Sequence, residues 1–285
     1  MASNNPAFNR IEKDAQNGYA GFRTEPTAQQ AATGAMTAQQ LQDLYNRPSA
    51  SPVQTDRVTM DDVIMKTLGL FAIVLVTAAI GWVVAATSPG GGFALWMGGA
   101  IGILVIGMVI AFKKTLSVPL ILVYAVVEGL FVGAVSQFYS GYFDEPGTPA
   151  FEGIVAQAVM ATLATFAGMF LAYRFGLIKV TDRFRKVMTM MIFGYAIFAV
   201  VNFVYAVFFS GSMFGFGGSG WLGIGISVFA VGLASFTLAL DFDAIDRAID
   251  TGAPRKYAWL LAHGLIVTLV WLYLEFLRLL GRMRN

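Results

Sequence analysis

The sequence predicts an all-α integral membrane protein, a bundle of seven transmembrane helices behind a disordered N-terminal tail. Three observations predict it. Hydrophobic residues make up 57% of the 285 residues and charged residues 13%, with a mean hydropathy of +0.67, too apolar a balance for a soluble globular domain. Seven separate stretches of about twenty apolar residues are each long enough to cross hydrocarbon at a rise of about 1.5 Å per residue. Lys and Arg fall mainly in alternate connections between those stretches, as the positive-inside rule expects of a multi-pass protein.

Taken in order, residues 1–56 are rich in Asn, Gln, Ala, Thr, Pro and Ser and hold too few apolar residues to offset the entropy of ordering. They are expected to form a disordered cytoplasmic tail, ahead of a seven-helix transmembrane domain over 57–285. Within the tail, Met36 to Tyr45 reads as a short transient helix capped by Thr37. Thr59, followed by Asp61 and Asp62, reads as the capped start of the first membrane helix, with acids in the turn where the helix dipole favours them. The N-terminus lacks the short apolar core of a cleavable signal peptide, so the first span is expected to serve as the insertion signal.

The predicted spans are about 65–87, 93–112, 118–138, 153–175, 187–209, 220–243 and 257–280. Ser88-Pro89-Gly90-Gly91-Gly92 breaks the first from the second, giving a hairpin. Gly98 with Gly102, and Gly129 with Gly133, place small residues four apart, the spacing that lets membrane helices approach closely. The connections 88–92, 139–152 and 210–219 contain no basic residue. Lys113 and Lys114 follow span two, Arg174 to Lys186 hold five basic residues after span four, and Arg247, Arg255 and Lys256 follow span six. Those three connections are therefore expected to be cytoplasmic in the cell membrane, together with the N-terminus. Seven crossings put the C-terminus outside, whereas Arg278, Arg282 and Arg284 favour the inside; a re-entrant last segment would remove the conflict. The loop Tyr139 to Glu152 carries Asp144, Glu145 and Glu152 without the ligand spacing of a calcium loop, and reads as solvated and acidic.

Several functions are excluded or disfavoured by residue type. The chain has no cysteine and one histidine, His263, which removes thiolate chemistry and disfavours a metal centre. A formal charge of +2 without a basic cluster gives no nucleic-acid surface. Phosphate-cradling glycine motifs and nucleophile-base pairs are not found, so the protein is not expected to be an enzyme or to carry a cofactor.

What remains are polar residues inside the spans: Glu128, Asn202, Asp241, Asp243, His263, Thr268 and Glu275. Ionisable groups in hydrocarbon cost at least a few kcal/mol and by default suggest function. Glu128 lies near the membrane centre, either as a functional acid or as a neutral one hydrogen-bonded to another helix, Asn202 included. Asp241 and Asp243 stand at the inner end of span six, pointing to different sides of the helix, and Arg247 is placed to pair with Asp243. Opposing a bland reading as helix ends emerging into water, two carboxylates there would face the negative end of the helix dipole. Thr268 and Glu275 are seven residues apart and share a face of span seven. Glu275 is also placed to pair with Arg278 or Arg282 near the interface. His263 reads as an interfacial histidine able to titrate near neutral pH.

From Thr59 to Gly281 the chain resembles the Bax inhibitor 1 and YccA-like membrane proteins. Glu128-Gly129-Leu130-Phe131-Val132-Gly133 is similar to the EGLxxG segment of their third helix. Phe242-Asp243 looks like the Tyr-Asp that closes their sixth, and Leu272 to Gly281 resembles their closing segment. The resemblance implies seven helices with the last one central. It also implies a pH-dependent calcium leak, in which an aspartate at the end of helix six shares a proton with one in helix seven. The first corresponds to Asp243. The position of the second is held by Thr268, and the nearest acid on that face is Glu275. The family's basic latch at the end of helix two corresponds to Lys113 or Lys114. The expected function is thus a calcium leak or calcium/proton exchanger gated by protonation of Asp243, Asp241, Glu128 and Glu275, with calcium or protons as cargo. The alternative is a non-conducting regulator that binds a membrane protease or another membrane partner. A substrate transporter would require inverted repeats or paired broken helices, which the chain lacks.

Overall fold

The computed structural model describes residues 56–113, 115–210 and 214–285. Lys114, the predicted helix at Met36 to Tyr45 and nearly all of the expected tail lie outside the described residues. Seven helices are long and apolar enough to span a membrane: α1 Met60–Thr87, α2 Pro89–Phe112, α3 Val118–Phe143, α4 Ile154–Arg174, α5 Asp182–Tyr205, α6 Trp221–Asp250 and α7 Ala258–Arg284. A π-helical turn, Ala206–Ser210, prolongs α5, and a 3-10 turn, Arg255–Tyr257, leads into α7. Among the described residues the sole β pairing is a bridge from Arg57 to Pro254. The protein is an all-α, multi-pass membrane protein.

Caps decide where several helices begin. Thr59 accepts the Asp62 amide at 3.2 Å, as the sequence predicts. Ser88 caps α2 by accepting the Gly91 amide at 3.1 Å, and Pro89 occupies the first helical position, where its missing N–H is no loss. The expected five-residue break at 88–92 therefore shrinks to Ser88, with the three glycines inside the first turns of α2. A larger correction concerns α6. It runs past the predicted end at 243 to Asp250, giving 30 residues, about 45 Å. Two of its acids are engaged by side chains and do not end it: Asp243 by Arg185 and Arg247, and Asp246 by the Tyr173 hydroxyl at 2.8 Å.

α7 is central, packed against α1, α3, α4 and α6, with Ala258, Ala262, Ile266, Leu272 and Leu277 fully buried. It is one continuous helix, so no re-entrant segment occurs. Its first turns meet the start of α1, where Arg255 pairs with Asp62 at 2.8 Å and Val58 donates to the Ala253 carbonyl. Its last turn meets the opposite end of the bundle, where Arg284 pairs with Asp144 at 2.7 Å. The arginines that contradicted the charge rule are thus bound within the protein. Asp144 also accepts the Ile154 amide and the Ser140 hydroxyl, both at 2.9 Å, and is 10% exposed, so this acid is a clamp; Glu145 and Glu152 are the solvated ones.

The tightest helix pair is α1 with α3. A Cβ on Gly129 would strike Thr77 and the Val74 carbonyl, and one on Gly133 would strike the Ala78 carbonyl and the Trp82 amide. Gly81 returns the contact against Leu130. These glycines do what their spacing predicts. On α2 the register differs: Gly98 faces open space and Gly102 meets only Val127, while Gly99, beside Phe131, makes the close approach. Gly129→Ala and Gly133→Ala are expected to destabilise the purified protein by about 1–3 kcal/mol each. Gly98→Ala should leave its thermal midpoint in detergent unchanged.

Candidate functional site

Three polar groups share one depth in the half of the bundle that ends in the basic connections. Glu128 lies ten residues beyond the start of α3, Asp241 nine before the end of α6, and Thr268 ten beyond the start of α7. At 1.5 Å per residue each is about 14–15 Å inside its helix. Glu128 is 2% exposed and its Oε2 has no partner among the described residues. Its surroundings are Tyr124, one turn earlier on α3, and His263 of α7, whose ring meets that of Tyr124 edge-on at 4.5 Å. Asn202 is not its partner, because that side chain closes the α5–α6 connection, accepting from the Phe216 amide at 2.6 Å and donating to the Phe214 carbonyl. His263 is buried in the bundle.

On another side of α7, Asp241 faces Thr268, whose hydroxyl donates to the Gly264 carbonyl at 3.1 Å. The Oδ2 atom of Asp241 is buried and unpartnered among the described residues. An unpartnered carboxyl oxygen in a dry interior costs more than one in water, and the cost is greatest for the ionised form. The two carboxyls therefore flank the central helix at one level, each with an acceptor to spare.

Nearer the basic end, Asp243 sits between two guanidinium groups. Arg185, at the start of α5, reaches it at 3.0 Å and Arg247, one turn along α6, at 2.9 Å. Lys113 does not serve as its latch: it is exposed at the end of α2, a helix packed on α1 and α3. Positions two apart on α6 have separated the two acids as helical geometry requires. Asp241 turns to α7 and Asp243 to α5.

Glu275 belongs to a different assembly, about two turns beyond Thr268. Its side chain is 3% exposed and accepts from Arg278 at 2.8 Å, Trp271 at 3.1 Å and the Tyr195 hydroxyl of α5 at 2.5 Å. It is a buried, fully partnered ion pair, not a surface one. Arg282 takes no part in it and binds the Gly223 carbonyl and the Ser227 hydroxyl of α6. Thr268 and Glu275 share a face of α7, as predicted, but do not share a site.

The family model described as Bax inhibitor 1 like matches residues 5–285. The chain belongs to the Bax inhibitor 1 like family. The match extends over N-terminal residues that the motif resemblance, from Thr59 to Gly281, omits. A comparison with curated proteins finds no match. Within this family member, Arg185, Tyr195 and Tyr173 are site residues that sequence reasoning missed. Each reaches its carboxyl from a helix distant in sequence, and the one available signal was the need of each intramembrane acid for a donor.

Removing one partner of a buried ion pair strands the other. Glu275→Leu is expected to lower stability by about 3–5 kcal/mol, read as thermal unfolding in detergent. The double variant Glu275→Leu/Arg278→Met should recover most of that loss.

Proposed function

We propose that this protein is a pH-dependent cation leak for calcium or protons, and not an enzyme, with its basic connections on the cytoplasmic side. The observation that carries the reading is the pair of buried carboxyls, Glu128 and Asp241, each with an unpartnered oxygen, at one depth on two sides of α7. Intramembrane acids kept without full compensation are the usual mark of an ion or proton path. The family's implied leak adds support.

In this reading the switch is Asp243. While charged, it bridges Arg185 and Arg247 and ties the lower end of α5 to α6. As pH falls and Asp243 takes up a proton, the tie is lost and two guanidinium groups are left facing one another. The like charges favour separation of α5 from α6. Water and cations then reach Asp241, which faces Thr268, the position where the family resemblance puts the second aspartate. Asp241, not Asp243, is the α6 carboxyl that faces α7, so the relay is assigned to Asp241 and the latch to Asp243, with Arg185 and Arg247 in the place first sought at Lys113 or Lys114. Positive-inside placement of the basic connections supports a cytoplasmic mouth.

Calcium flux through the purified protein in liposomes, followed against pH with a proton dye in parallel, tests this. The wild type should leak more as pH falls. Asp243→Asn should leak at neutral pH with little further response to acid, and Asp241→Asn should conduct poorly at any pH. Glu145→Gln, in the outer loop, should match the wild type. Absence of wild-type flux at every pH would overturn the leak and favour the non-conducting regulator.

A further inference from the structure

The half of the bundle away from the basic connections contains a cavity of about 720 Å³ that the leak does not use. Its rims are α2, through Phe93, Trp96 and Ala100, and α5, through Tyr195 and Phe198; its floor is α3, α6 and α7. Since α2 packs on α1 and α3 and α5 on α6, the two rims stand apart from one another. Two guanidinium groups, Arg278 and Arg282, line the floor.

Their charges are not balanced. Glu275 answers Arg278. Arg282 is 2% exposed and has no carboxylate within ion-pair distance among the described residues. It is held by neutral groups, the carbonyls of Gly223 and Phe214 and the Ser227 hydroxyl at 2.9 Å, and lies over the Phe214 ring at 5.4 Å. Its Nε has no partner among them. A buried cation without a counter-charge is costly, and a donor left over at the floor of an open cleft marks where an acceptor belongs. Arg presents planar donors suited to phosphate or carboxylate, and the aromatic walls suit an apolar body. The volume lies within the range of small-molecule sites.

We propose that this cleft binds an anionic amphiphile, an acidic headgroup seated on Arg282 with its apolar part between α2 and α5. The occupant enters sideways from the bilayer, and a phospholipid with a net negative headgroup has the required chemistry. Asp241, Asp243 and Glu128 lie outside its lining, although α5, the helix that the leak would move, forms one of its rims.

The test is native mass spectrometry of the delipidated full-length protein in neutral detergent. It is titrated with phosphatidylglycerol, with phosphatidylcholine, and with inorganic phosphate. Retention of phosphatidylglycerol well above phosphatidylcholine, with weaker binding of phosphate, is the expected result. Arg282→Gln should weaken phosphatidylglycerol retention about tenfold, the size expected for one lost charge-assisted contact, and Arg284→Gln, whose side chain pairs with Asp144 outside the cleft, should not. If Arg282→Gln fails to fold, Ala100→Phe narrows the rim with the arginine in place and should also weaken retention. Equal retention of phosphatidylcholine, phosphate binding as tight as that of the lipid, or full retention by both cleft variants would overturn the proposal.

Discussion

The arrangement depends on the polar stripe of α7. A helix carrying His263, Thr268, Glu275, Arg278 and Arg282 cannot face hydrocarbon, where an unsatisfied polar group costs several kcal/mol. Wrapping that helix in others removes the difficulty, and α1, α3, α4 and α6 do so. The polar groups on α7 then draw their partners from three neighbours. His263 meets Tyr124 of α3, Thr268 meets Asp241 of α6, Glu275 meets Tyr195 of α5, and Arg282 meets Gly223 and Ser227 of α6. The helix order around the centre therefore follows from where donors and acceptors are needed.

Charge divides the molecule along the membrane normal. Among the described residues, the buried ionisable groups left short of partners are the carboxyls of Glu128 and Asp241 toward the basic connections, where the Thr67 hydroxyl is also unpartnered, and the Arg282 guanidinium toward the other end. Both imbalances lie in the interior, where charge interactions are screened least. The first suits a cation or proton and the second an anion.

How much of this was legible beforehand depends on the range of the interaction. Local signals read well: the Thr59 cap, the Arg247–Asp243 pair four residues apart, and the close approach at Gly129 and Gly133 all follow from spacing along one helix. Gly98 and Gly102 carried the same spacing yet only Gly99 makes the tight contact, because spacing gives a face and not its rotation toward a neighbour. The end of α6 was misplaced for a related reason. Acids look like a terminus until Arg185 and Tyr173 are brought to them from α5 and α4. Pairings such as Arg185–Asp243 and Tyr195–Glu275 span 58 and 80 residues, and no periodicity encodes them.

These contacts also decide which helix is free to move. α1 and α3 interlock through glycines whose replacement would collide with backbone, so sliding them requires repacking a close contact. α5 has no such interlock: Gly194 has open space around it, and the helix packs on α6 and, through Tyr195, on Trp271 of α7. What holds it are two polar ties, Arg185 to Asp243 at one end and Tyr195 to the Glu275–Arg278 pair further along. The second tie is buried, with Glu275 at 3% exposed. The first is partly exposed, Asp243 at 15% and Arg185 at 32%, and so is the more open to screening by salt. A helix pinned firmly at its middle and conditionally at one end can pivot at that end, and Asp241 lies about half a turn farther in along α6 than Asp243.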